Sequence, residues 1–173
     1  MNLSKLKEKR LRKKFDKNVS KLIENRTVSQ KEIVTVGILT EESIATELDI
    51  KSIIETTLGI RNSKMYSFKH FNKLDEVSYK DFTEKDINWK GDFIEPTFQS
   101  FLDQPFDLLI GYFNKNNIYL EIAVNQSKAT FKAGFTGVND QLYELEILEK
   151  ISNTKQFTAE LKKYLQILKK LKN

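Results

Sequence analysis

The chain has 173 residues, with 29 Lys and Arg against 24 Asp and Glu, one histidine and no cysteine, a length that suits one domain with its own core. The lack of cysteine excludes disulfides, thiolate nucleophiles and Cys-ligated zinc or iron–sulfur centres, and the single histidine, His70, excludes a multi-histidine metal site. No apolar run nears the ~20 residues that span a bilayer, and the N-terminus has no signal-peptide core, so a soluble cytoplasmic protein without metal or cofactor is expected.

Charge is unevenly placed. Residues 1–26 carry ten Lys and Arg against Glu8, Asp16 and Glu24, a net of +7, and Lys155 to Asn173 carries six lysines against Glu160. An acidic body of net −7 lies between these basic ends.

Leu11, Phe15, Val19 and Leu22, spaced by four, four and three, predict an amphipathic helix over Lys5 to Glu24 with a thin apolar stripe. Polar residues Asn25 to Glu32 follow, so the chain divides into a basic arm (1–26), a linker (27–32) and one α/β domain (33–173). "IVTVGIL", Ile33 to Leu39, reads as a strand covered on both faces. Thr40 is placed to cap the next helix, with Glu41 and Glu42 in its first turn. That helix runs to Leu58, with a break where Asp49 re-caps it, and ends at Gly59.

A second strand covers Lys64 to Phe71. The pattern weakens from Asn72 to Gln104, where Trp89 could stack on a base but is expected to plug the sheet edge, and a short helix spans Thr97 to Leu102. Asp107 to Phe113 is the third strand, followed by a helix bearing Ile118, Ile122 and Val124 that stops at Asn125 or Ser127. Ala129 to Phe135 and Leu142 to Leu148 are the fourth and fifth strands, and a helix with Phe157, Leu161, Leu165 and Leu168 closes the chain. Alternating strands and helices imply a three-layer α/β fold of Rossmann-like or flavodoxin-like kind. Its mostly parallel five-stranded sheet takes the order 2-1-3-4-5, with helices on both faces and the basic helix outside the count.

In such folds ligands lie above the carboxyl ends of the strands, which makes Thr40, Glu41, His70 and Asn114 the candidate rim. The residues there do not meet the demands of the known chemistries. Neither G-x-G-x-x-G nor a Walker loop follows the first strand, and Glu41 and Glu42 repel phosphate. A receiver-type phosphoacceptor is missing from the end of the third strand, where Tyr112, Phe113 and Asn114 stand. No G-x-S-x-G elbow exposes a serine, and His70 has no partner fixed by spacing. "GFTG", Gly134 to Gly137, matches the KH loop only in its letters, because it follows a strand.

"FDLLIGYF", "SKATFKAGF", "NDQLYELEI", the closing helix and "FTEKDINWKG" together resemble an uncharacterised family of small bacterial proteins classed as a domain of unknown function. The resemblance spans Ile33 to Leu171, and the basic N-terminal helix is similar in kind. It implies the fold and carries over no catalytic residue.

The expected function is non-catalytic binding of RNA or a ribonucleoprotein such as the ribosome, through Lys5, Lys7, Lys9, Arg10, Arg12, Lys13, Lys14 and Lys17. Two alternatives stay open: an enzyme or small-ligand sensor acting at the sheet rim, and a scaffold that meets a protein partner.

Overall fold

The computed structural model describes residues 2–23 and 29–172. Helix α1, Leu3–Ile23, leads into strand β1, Thr35–Glu41, and helices α2, Glu42–Glu47, and α3, Ile50–Leu58. Strands β2, Asn62–Phe68, and β3, Asp81–Phe82, precede a 3₁₀ turn at Glu84–Asp86 and helix α4, Pro96–Asp103. Strand β4, Leu108–Tyr112, helix α5, Ile118–Gln126, strands β5, Lys132–Phe135, and β6, Leu145–Ile147, and helix α6, Thr154–Ile167, complete the chain.

All strand pairs are parallel, and the order is β3-β2-β1-β4-β5-β6. The five expected strands are present in the expected sequence of neighbours, but the sheet has six strands. The extra one, β3, pairs only Asp81 with Ser67 and Phe82 with Phe68. Two residues are too few to show the period-two alternation by which a strand is recognised.

Thr40 is a second departure. It lies inside β1, buried, with its hydroxyl donating to the Tyr112 carbonyl at 2.7 Å, and Glu41 takes the N-cap of α2 without a side-chain cap bond. The expected break is present: Asp49 precedes α3, and Gly59 ends α3 in the left-handed region. The linker expected at 27–32 lies partly outside the described residues. From Ser29 onward it is held by the C-terminus: Ile33 N–H donates to the Lys170 carbonyl at 2.9 Å, and the Lys170 ammonium donates to Ser29. Part of the C-terminal basic end is therefore internal.

Side chains alternate across the sheet into two cores. Val36, Ile38, Leu108, Ile110, Tyr112, Ala133 and Phe135 face α3 and α6 through Ile50, Ile54, Phe157 and Leu161. Leu39, Tyr66, Phe68, Leu109 and Phe113 face α4 and α5 through Phe98, Phe101, Tyr119 and Leu120, and Leu11 and Phe15 of α1 join the same core. On this second face the sheet is cut back by glycines. A Cβ on Gly111 would stand 2.1 Å from the Tyr143 hydroxyl, and one on Gly134 2.2 Å from its ring. The phenol fills the slot that the two glycines leave, and burial holds it protonated, well above its ordinary value.

At the opposite end from the rim, Asp107 is buried and joins β4 to the chain entering β1. Its Oδ2 accepts from the Val34 and Thr35 amides at 3.0 Å each and from the Thr35 hydroxyl at 3.1 Å, while Lys31 approaches Oδ1 at 2.9 Å. Burial raises this carboxyl, but the bonds from Lys31, Val34 and Thr35 outweigh it and hold the group below its usual range.

Gly111→Ala is expected to cost about 1–3 kcal/mol by overpacking against Tyr143, read as a lowered melting temperature. An unchanged melt would show that the phenol can move aside. Asp107→Asn is expected to cost about 1–3 kcal/mol at neutral pH. Because the folded carboxyl titrates below its unfolded value, its contribution is complete above pH ~4 and disappears as pH falls through the folded value. Stability curves against pH should thus converge in acid; parallel curves would contradict the assignment.

Candidate functional site

The rows of α1, taken at spacings of four, sort its residues by what they face. Leu11, Phe15 and Val19 are buried in the second core, so the arm packs on the body, while the side chain of Leu22 lies outside the described residues. One flank of this stripe is the row Glu8, Arg12, Asp16. The outward rows are Lys5, Lys9, Lys13, Lys17 and Leu6, Arg10, Lys14, all exposed. Both acids of α1 among the described residues fall on the flanking row, where they are exposed and line a shallow concavity with Lys5, Lys9 and Lys13.

The apolar stripe meets α5, whose residues Ile118 to Val124 are all buried. A helix that is apolar on every side needs cover on every side; the sheet supplies one face and α1 the other. The single acid within it, Glu121, is completely buried. Arg12 reaches it with two parallel bonds, Nη1 to Oε1 at 2.9 Å and Nη2 to Oε2 at 2.6 Å. The Asn117 amide donates to Oε2 at 3.0 Å and the Asn139 side chain to Oε1 at 3.3 Å, so the carboxylate is surrounded by donors. The bond to Glu121 raises the Arg12 pKa further above its ordinary value.

Two lysines dock the other flank. Lys7 donates to the Glu84 carbonyl at 2.7 Å and to that of Ile87, and Lys14 donates to the Lys90 carbonyl at 2.5 Å. Burial lowers the Lys7 pKa, with Glu84 and Asp86 opposing the shift. Of the eight cations expected to contact RNA, Lys7 and Arg12 face inward, Lys14 is exposed but holds the body, and Lys5, Lys9, Arg10, Lys13 and Lys17 are exposed. Lys9, Arg10, Lys13, Lys14 and Lys17 with Leu6 line a shallow concavity of about 430 Å³.

The four rim residues are not gathered into one cavity. Thr40 is buried, whereas His70 is exposed, with Nδ1 3.8 Å from Glu84 and its ring edge-on to Phe68 at 5.2 Å. Glu41 caps α2 and Asn114 is exposed. Neighbouring rim residues are engaged within the fold: Asn117 caps α5 through the Tyr119 and Leu120 amides, and the Asn116 side chain donates to the Val138 carbonyl at 2.7 Å. Below them Phe68 stacks on Tyr119 at 5.1 Å. A cleft of about 500 Å³ and a pocket of about 190 Å³ flank β2 and β3, and none of the four rim residues lines either.

Reading by local pattern overlooked Glu121 and placed Trp89 wrongly. The signal for the first was present: a lone acid within "IYLEIAV" requires a buried cation from elsewhere. Trp89, expected to plug the sheet edge, is 39% exposed, in a turn whose Ile87 and Lys90 carbonyls accept from Lys7 and Lys14 of α1.

Among the described residues no cluster of three or more His, Asp or Glu is placed to hold a metal, and no helix is long and apolar enough to cross a membrane. Sheet, helical layers and docked basic helix define a parallel open-sheet α/β protein. The chain belongs to DUF6913, a family of unknown function, which it matches over residues 7–168. No curated protein and no solved structure matches it. The match begins inside α1, which places the docked helix within the family's own extent.

Arg12→Ala is expected to cost about 2–4 kcal/mol, because it leaves the buried Glu121 without its counter-charge. A double-mutant cycle with Glu121→Gln should recover part of that loss in chemical denaturation. Strictly additive effects would mean that the two side chains do not act as a pair.

Proposed function

We propose that the protein is a non-catalytic binding protein that engages RNA or a ribonucleoprotein through the outward rows of α1. The observation that carries this reading is the segregation of charge on a docked helix. Lys5, Lys9, Lys13 and Lys17 follow one another at about 6 Å per step, Arg10 and Lys14 flank them, and the exposed acids Glu8 and Asp16 are limited to the one adjoining row. Cations on a packed helix are already positioned, so polyanion binding costs little ordering, and displaced counterions supply the affinity without sequence reading.

The fold supports this over chemistry at the rim. The strand order is that of doubly wound dinucleotide-binding proteins, yet "GILTEES" follows β1 in place of the glycine loop, and the rim asparagines around Glu121 bond within the protein.

Lys9→Glu, Lys13→Glu and Lys17→Glu combined should abolish binding to a labelled RNA oligonucleotide in fluorescence anisotropy while leaving the melting temperature close to wild type. With about six phosphate contacts, log K for a single strand should fall against log salt with a slope near −4. Binding that survives the triple reversal, or is insensitive to salt, would refute the proposal. Point reversal is the suitable test because removal of α1 would strip the cover from α5.

A further inference from the structure

We infer that Trp89 is a stacking platform for an unpaired base, which makes single-stranded RNA the ligand class of the α1 surface; the inference rests on the proposed function above. Trp89 is the only tryptophan in the chain, and the residue is left 39% exposed in a turn whose neighbours Ile87 and Phe93 are buried.

The turn is held on every side. The Asn88 side-chain oxygen accepts from the Lys90 amide at 2.9 Å and the Asp92 amide at 3.0 Å, and the Asn88 amide donates to the Asp92 carbonyl at 2.9 Å. Gly91, at φ 94°, closes it in a conformation that side chains disfavour, and Gln126 of α5 donates to the Gly91 carbonyl at 2.7 Å. Ile87 and Phe93 bridge the base of the loop. The lysines of α1 complete the hold, since the carbonyls that accept from Lys7 and Lys14 belong to Ile87 and Lys90, on either side of Trp89.

Three consequences follow from that placement. The turn that carries Trp89 is bonded to the flank of α1 that holds Lys7 and Lys14, and Glu8 and Asp16 belong to the opposite flank. Lys90, exposed and next in the chain to Trp89, adds a cation to the same turn. The one acid of the turn, Asp92, accepts from the Asn88 side chain at 3.3 Å. An exposed aromatic residue on a fixed turn beside a cationic track is the arrangement by which single-strand binders hold successive nucleotides: phosphates pair with the cations while bases stack on the ring. A duplex has its bases already stacked and offers this ring nothing.

The sole tryptophan makes the test direct. The full chain is titrated with a short oligouridylate, with the matching RNA duplex, and with vesicles of phosphatidylserine and phosphatidylcholine, while tryptophan emission is followed. Oligouridylate should quench the emission, and Trp89→Ala should weaken its binding about tenfold. Trp89→Phe should retain most of the affinity, and neither change should alter duplex binding. Salt-dependent oligouridylate binding that leaves emission unchanged and is the same in Trp89→Ala would overturn the platform and leave the helix proposal standing. Equal or tighter binding of the duplex or vesicles, with the same quenching, would overturn the ligand class. Absence of any RNA binding would overturn both. The quenching measurement uses the native chain, so it decides the matter even if the alanine variant folds poorly.

Discussion

The pairing of Arg12 with Glu121 is the constraint on which the arrangement of this protein depends. A carboxylate with no solvent exposure is tolerated only when donors surround it. Three parts of the chain provide them: Arg12 from α1, the Asn117 amide from the loop after β4, and Asn139 from the loop after β5. One buried charge thereby ties the first helix to both loops at one end of the sheet. It also sets the rotation of α1 about its own axis. With the row of Arg12 against α5, the row of Lys5, Lys9, Lys13 and Lys17 points outward, and Glu8 and Asp16 reach solvent along its edge.

The same set of bonds decides what the rim offers. The reversal between β1 and β4 creates the place where this architecture usually receives a ligand. Here the loops bordering it bond to one another through Asn116 and Val138 and to α1 through Glu121. Phe68, Tyr119 and Phe82 pack beneath. Polar groups that would bind a substrate in an open crevice instead satisfy the fold. The exposed and unevenly charged surface lies on the helix that covers α5, which is why the functional proposal rests there.

Both ends of the chain serve the body before they serve any partner. Burial lowers the Lys170 pKa, and its ammonium stands 4.6 Å from the centre of the Phe131 ring while donating to Ser29. Lys7 and Lys14 donate to carbonyls of the 84–90 segment. Basic composition alone therefore overstates the number of cations facing outward. Those that remain are selected by geometry, through the rows of one docked helix.

Local pattern in the sequence determined the five longer strands, their parallel neighbours, the break at Asp49, the end at Gly59 and the stripe of Leu11, Phe15 and Val19. Each of these rests on periodicity, propensity or turn chemistry acting over a few residues. The two-residue β3, the embedding of Thr40, the docking of α1 and the exposure of Trp89 came only with the tertiary structure. Their cause is contact between residues far apart in the chain, such as Arg12 and Glu121, 109 positions apart. A run of residues states what a segment must bury and which charge it must compensate, but which distant segment meets that need depends on the path of the whole chain.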